Sequence, residues 1–126
     1  SIENKTERMN DSEVSKLAHE MDQLPNEVTV KTKKYERSTV IARYVKKRAN
    51  GKCELCGKDA PFIDLKGKPY LEAHHLIPVS QGGHDSIDNC AALCPNCHRK
   101  MHAINDPKDM DTIKSNMARD EERMVR

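Results

Sequence analysis

Two CxxC pairs, Cys53-Glu54-Leu55-Cys56 and Cys94-Pro95-Asn96-Cys97, constrain this chain more than any other feature. Two residues between thiols let one turn present both sulfurs to a single ion. Two such turns complete the closed tetrahedral sulfur set that Zn²⁺ prefers. Five cysteines is an odd number, which argues against a fully paired disulfide framework. Cys90 has no partner at this spacing and is expected in the core. The chain has 126 residues, is 36% apolar, and holds one Phe and no Trp. Cores of that size are marginal. A structural zinc adds an apparent roughly 10–16 kcal/mol in small finger peptides, enough to dominate so thin a core.

Five of the six histidines lie in the same stretch, between Cys53 and His102. His98 and His102 are four apart on a predicted helix, so they share a face and can chelate one ion. His74 comes from a predicted strand and supplies a third ligand from another element. Three ligands leave positions open for water and substrate, and a divalent ion held there polarises a phosphoryl oxygen and stabilises a leaving alkoxide. His75 adjoins His74. Consecutive strand residues point to opposite sides, so the two do not easily bind one ion. One of the pair is left to act as general base, a role imidazole suits near neutral pH. Asn89 is expected to hold that imidazole through its amide.

Upstream, residues 1–27 carry a net charge of −4, and residues 28–52 carry nine Lys or Arg against one Glu, a net of +8. A basic segment directly before the first CxxC is the footprint expected for a polyanion, and equally that of a solvated helix face. A first helix is predicted from Asp11 to Gln23, with a capping-box spacing from Asn10 to Glu13. Val14, Leu17, Ala18 and Met21 form its apolar stripe, and His19 reads as a surface residue. Val28–Thr32 alternates like a short strand. A second helix is predicted from Ser38 to Ala49, burying Val40, Ile41, Tyr44 and Val45. Arg43, Lys46, Lys47 and Arg48 are placed largely on its other side, and Asn50-Gly51 ends it. Residues 58–69 read as a loop or irregular hairpin, Tyr70–Ile77 as a strand, and Pro95 as the start of the helix carrying His98 and His102. Met110, Ile113, Met117 and Met124 mark a C-terminal amphipathic helix.

The text CELCG, LEAHHLIPVSQGG, DNCAALCPNCH and RKMH, about 50 of 126 residues, closely resembles the HNH endonucleases. It is most similar to their zinc-bound, Mcr-type branch, associated with restriction of modified cytosine. The resemblance implies an α+β fold: a small ββα-metal (His-Me finger, HNH) core with a four-cysteine structural zinc site, flanked by N- and C-terminal helices. It implies that Cys53, Cys56, Cys94 and Cys97 hold the zinc. His74, His98 and His102 would hold a catalytic divalent ion (Mn²⁺, Mg²⁺, Ni²⁺, Co²⁺ or Zn²⁺), with His75 as general base and Asn89 as the middle residue of the family name. Glu72 matches the acidic residue before the His pair. The reaction implied is metal-dependent hydrolysis of DNA phosphodiesters, with Arg43, Lys46, Lys47, Arg48 and Arg99 on flanking phosphates. The domain boundaries expected are an N-terminal arm over 1–37, the nuclease over 38–105 and a C-terminal helix over 106–126. The competing reading is a zinc-stabilised nucleic-acid-binding module without cleavage. Two copies would suit double-strand cutting, so a homodimer is among the expectations. No run is long and apolar enough for a membrane span. With no targeting segment recognised, the cytoplasm is the default compartment.

Overall fold

The computed structural model describes residues 10–22 and 31–126. The elements in order are α1 (Asp11–Asp22), α2 (Lys31–Ala49), β1 (Glu72–His75), a 3₁₀ turn (Val79–Gln81), β2 (Cys90–Leu93), α3 (Pro95–Ala103) and α4 (Pro107–Met124). β1 and β2 pair in a two-stranded sheet, and the class is α+β, as expected. The chain divides into two compact units. One is the described part of Ser1–Val45 with His75–Cys90, and the other is Lys46–His74 with Ala91–Arg126.

In the first unit, α1 opens on the capping box read from the sequence. Glu13 N–H donates to Asn10 Oδ1 at 2.8 Å, and Asn10 Nδ2 donates to Glu13 Oε1 at 2.8 Å. Val14 and Ala18 are buried, while Leu17 and Met21 are half-buried. His19 is not a plain surface residue: its ring meets Tyr44 edge-on, with centroids 5.2 Å apart, and its Nδ1 lies 2.7 Å from the Ser15 carbonyl. The second helix buries Val40, Ile41, Tyr44 and Val45 as expected, but starts at Lys31 rather than Ser38. The strand expected over Val28–Thr32 is overturned where it is described, because Lys31 and Thr32 are helical; residues 28–30 lie outside the described residues. The sequence KTKKYER is rich in Lys, Arg and Glu, which favour helix over strand.

The loop after β1 is closed by Asn89. Its Oδ1 accepts from Ile77 N–H at 3.0 Å, and its Nδ2 donates to the Ile77 carbonyl at 2.9 Å and the His84 carbonyl at 2.8 Å. Gly83 makes room for this clamp. A Cβ there would stand 1.9 Å from the Ile77 oxygen and 2.9 Å from Asn89 Nδ2, so any side chain would force the loop apart.

In the second unit, α2 ends on Asn50 and Gly51, both with positive φ (53° and 81°), and the chain enters the first CxxC turn. The buried side chains are Leu71 beside β1, Ala91, Ala92 and Leu93 of β2, Met101 of α3, and Ile113 and Met117 of α4. α3 begins with Pro95 at its first turn, capped by Cys94. α4 begins with Pro107, capped by Asp106, whose side chain accepts from Lys108 N–H at 2.8 Å.

A charge pair lies within this core. Arg48 is 1% exposed and Glu54 not at all. Arg48 grips Glu54 with two parallel bonds, Nη2 to Oε1 at 2.8 Å and Nε to Oε2 at 3.1 Å. Glu54 Oε1 also accepts from Ala92 N–H of β2 at 2.9 Å. α4 completes the node: Asn116 Nδ2 donates to the Glu54 carbonyl at 3.0 Å and Arg123 Nη2 to the Arg48 carbonyl at 2.6 Å. Burial pushes the Glu54 carboxyl up, and the Arg48 guanidinium opposes it.

Candidate active site

The first CxxC turn is shaped by backbone. Cys53 N–H donates to the Lys58 carbonyl at 2.9 Å and Gly57 N–H to the Cys53 carbonyl at 3.0 Å, with Gly57 at φ 76°. Only glycine holds that left-handed turn without strain. The second turn is the N-terminus of α3, where Cys97 N–H lies 3.5 Å from Cys94 Sγ. These two turns bring Cys53, Cys56, Cys94 and Cys97 together, with all four sulfurs within 4.8 Å of one another. Zn–S bonds of about 2.3 Å in a tetrahedron would set sulfurs at roughly 3.8 Å, so the cluster fits one ion.

The thiol chemistry points the same way. Burial pushes Cys53 up, but backbone hydrogen bonds from Cys94, Cys56 and Leu55 outweigh it and hold the thiol below its ordinary value. Burial and the neighbouring Cys94 and Cys53 drive the Cys97 thiol far up. Four sulfurs this close do not all ionise unless a cation offsets their repulsion, which a divalent ion does.

The second cluster joins β1 to α3. His74, only 7% exposed, meets His98 and His102, and the three contribute ring nitrogens within 4.8 Å of one another. His98 Nε2 and His102 Nε2 stand 3.0 Å apart. Two imidazoles on one ion, with metal–nitrogen bonds of about 2.1 Å, present nitrogens at roughly that separation. The ring centroids are 4.8 to 5.2 Å apart. The outer nitrogen of His98 is fixed: its Nδ1 lies 2.9 Å from Glu72 Oε1, and Glu72 Oε2 accepts from Tyr70 Oη at 2.7 Å. The His98 and Tyr70 bonds hold the Glu72 carboxyl below its ordinary value. A carboxylate on the far side of a metal-facing imidazole sets its tautomer and strengthens it as a ligand. Glu72 is two residues before His74 on the strand, so it shares the face of His74. The resemblance matched Glu72 to the acidic residue before the His pair without giving it a role; the two-residue spacing is the signal that could have given it.

His75 takes the other face of β1. Its side chain is 30% exposed, and its Nε2 lies 2.9 Å from Asp85 Oδ1. Asp85 is buried and braced by the Ser38 hydroxyl, while Arg37 Nε donates to the Asp85 carbonyl at 2.5 Å. Burial pushes the Asp85 carboxyl up, but hydrogen bonds from His75 and Ser38 more than reverse it, so it stays ionised. The expectation that the Asn89 amide orients His75 is corrected here. That amide is committed to Ile77 and His84, and Asp85 is the partner of His75. Asn89 works on the loop, and Asp85 on the imidazole. Sequence reading missed Asp85, because the contact depends on a loop path that no spacing reveals.

The basic residues divide. Arg48 is corrected: it does not lie on the exposed side of its helix but is buried against Glu54. It falls three and four residues after Val45 and Tyr44, on the buried stripe of its helix. Lys46 and Arg99 are exposed, and Arg43 and Lys47 half-buried.

Comparison with known proteins follows the same residues. Residues 53–103 match the family model of the HNH endonuclease. The Type IV methyl-directed restriction enzyme EcoKMcrA of Escherichia coli is 48% identical over 86 residues, which are 68% of this chain and 31% of that protein. The uncharacterized protein YisB of Bacillus subtilis is 38% identical over 58 residues, 46% of this chain and 48% of its own length. Among solved structures, the Type IV phosphorothioation-dependent restriction endonuclease ScoMcrA superposes with a TM-score of 0.66 at 26% identity, over 94% of this chain and 24% of that one. The chain thus spans about a third of EcoKMcrA and about half of YisB.

Proposed function

We propose that this chain, which carries an HNH endonuclease domain at residues 53–103, hydrolyses DNA phosphodiester bonds with the help of a divalent ion. The observation that carries the reading is the convergence of His74, His98 and His102, with ring nitrogens within 4.8 Å, in a set that includes the exposed His102. Three imidazoles leave the remaining positions of a divalent ion to water and substrate, whereas the four cysteines complete a closed tetrahedral site. In this reading Cys53, Cys56, Cys94 and Cys97 hold a structural zinc, and the three histidines hold the catalytic ion.

Bound there, a divalent ion would supply Lewis acidity at the phosphoryl group and at the leaving 3′ oxygen. The remaining work belongs to the chain. His75 Nε2 donates to Asp85, which leaves the lone pair on Nδ1 to take a proton from the attacking water. The ionised Asp85 then stabilises the imidazolium that forms. Glu72 keeps His98 Nδ1 protonated and its other nitrogen turned to the ion. Asn89 fixes the Ile77–His84 loop beside the base. Lys46 and Arg99, with Arg43 and Lys47, hold flanking phosphates. These contacts are blind to sequence. Restriction of modified DNA is the role that the EcoKMcrA and ScoMcrA likenesses support, and double-strand cutting would be served by a homodimer.

The test is a plasmid-cutting assay across Mn²⁺, Mg²⁺, Ni²⁺ and Co²⁺, on methylated and unmethylated DNA. The wild type is expected to cut, EDTA to stop it, and His75→Ala to lower the rate by about 10²–10⁴-fold with the fold intact. Wild-type cutting by His75→Ala would remove the base assignment.

A further inference from the structure

The loop between the first CxxC turn and β1 has no part in either metal cluster, yet it is ordered and apolar at its tip. Phe62, Ile63 and Leu65 are 53%, 62% and 107% exposed. Phe62 is the sole phenylalanine of the chain. Three large apolar side chains exposed within four residues mark a surface that meets something.

The loop is held rigid. Tyr70 N–H donates to the Phe62 carbonyl at 2.9 Å, and Asp64 N–H to the Lys68 carbonyl at 2.8 Å. Asp64 Oδ1 accepts from the backbone of Lys66 at 2.9 Å and of Lys68 at 3.0 Å. The acidic side chain at the tip is thereby used to tie the turn. The base of the loop is fastened by a bridge between Lys52 and Asp59. Phe62 stacks on Tyr70, with ring centroids 4.7 Å apart and planes 21° apart. Tyr70 in turn bonds Glu72, and Glu72 bonds His98. A continuous rigid path therefore runs from the apolar tip to the three-histidine cluster within one compact unit.

We propose that the Phe62–Leu65 tip is a wedge that enters the base stack of duplex DNA next to the bond being cut. This rests on the nuclease reading and adds how the duplex is held. Apolar side chains that part base steps are a known device of DNA-bending proteins, and here the loop carries Lys58, Lys66 and Lys68 for phosphates, while its two acids are engaged, Asp59 by Lys52 at 2.6 Å and Asp64 by the backbone of Lys66 and Lys68. The same lysines disfavour a second copy as the occupant. A two-fold contact would bring the lysines of one loop toward those of the other, whereas DNA phosphates attract them.

The experiment uses the doubly substituted Ile63→Ser, Leu65→Ser chain. Both side chains are more than half exposed, so folding is expected to survive, and thermal melts and zinc content verify it. Cutting is measured on an intact duplex and on one with an unpaired bulge at the cut site. The double variant should lose about 10- to 100-fold on the intact duplex and recover on the bulged one, where unstacking is already done. In a His75→Ala background, binding to a duplex carrying 2-aminopurine should raise its fluorescence, and the added serines should abolish that rise. Equal cutting of both duplexes by the double variant and wild type, with no fluorescence change, overturns the wedge while leaving the nuclease reading standing. Loss of cutting that tracks loss of a dimer in sedimentation also overturns it, in favour of a second copy. Absence of cutting by the wild type on either duplex instead overturns the nuclease reading, and the wedge with it.

Discussion

The two metal-competent clusters draw on the same strand-and-helix framework but are built differently. The four cysteines sit on two tight turns, each shaped by its own backbone hydrogen bonds, and one of them, Cys53, is buried. The three histidines come from β1 and α3, and they grade from buried His74 to exposed His102. The first cluster offers four sulfurs, enough to close a tetrahedral site. The second offers three ring nitrogens, which leaves positions open for water and substrate. A thiolate set crowded to within 4.8 Å needs a cation to be stable; a neutral imidazole set does not. The difference teaches which cluster should carry folding and which should carry chemistry.

The largest effect expected is at Cys94. Cys94→Ser removes a ligand whose site is worth roughly 10 kcal/mol, comparable to the whole stability of a small domain. Circular dichroism should show no cooperative melt, and elemental analysis no zinc. A Cys94→Ser chain that melts like the wild type would erase the contrast between the clusters.

His102→Ala is the counterpart. The residue is exposed, so the change in stability should stay within about 0.5 kcal/mol, while cutting falls by about 10²–10⁴-fold. A brief, weak chelator should reproduce this: activity lost, melting temperature kept, and activity restored by added Mn²⁺ or Ni²⁺. A shared fall in stability and activity at His102 would mean that both clusters are structural.

Arg48 sharpens the comparison from the protein side, because the first CxxC turn has a second anchor. Arg48→Ala would leave Glu54 buried at the centre of that turn with its bidentate partner gone. The expected cost is about 3–5 kcal/mol, read from denaturant melts at saturating zinc. A loss below 1 kcal/mol would show that the metal alone holds the turn.

How far these features were legible in the sequence follows their physical origin. The cysteine and histidine sets were readable because ligand spacing maps directly onto turns and helix faces. So were the α1 capping box and the buried stripe Val40–Val45. Arg48 was misread because a charged residue at the end of a basic run was assigned to solvent. The stripe periodicity that places it inside was overruled by its charge. Asp85 was invisible because a loop sets its position. The start of α2 was placed late because Val28–Thr32 alternates, and alternation over so short a span decides little against the helix formers that follow it. The segment bearing the apolar tip Phe62–Leu65 read as a loop or irregular hairpin from Pro61, Gly67 and Pro69; the bridge between Ile63 and Pro69 fits the hairpin, and nothing in the pattern foretold that Asp64 would tie its turn.

The smallest effect concerns Glu72, and it separates assembly of the histidine cluster from its tuning. Glu72→Gln keeps the size and the bond from Tyr70, but it removes the charge facing His98 Nδ1. The neutral amide holds the His98 tautomer less firmly and leaves the ring a weaker ligand. Affinity of the histidine cluster for Mn²⁺ or Ni²⁺, measured by titration calorimetry, should fall by about 10–100-fold. Zinc content and melting temperature should not move, because no cysteine is touched and the side chain at 72 is partly exposed. Saturating metal should restore most of the cutting. A Glu72→Gln chain that binds metal as tightly as wild type but stays inactive would place Glu72 on the substrate side, and the division between the two clusters would then have to include a carboxylate that acts on DNA directly.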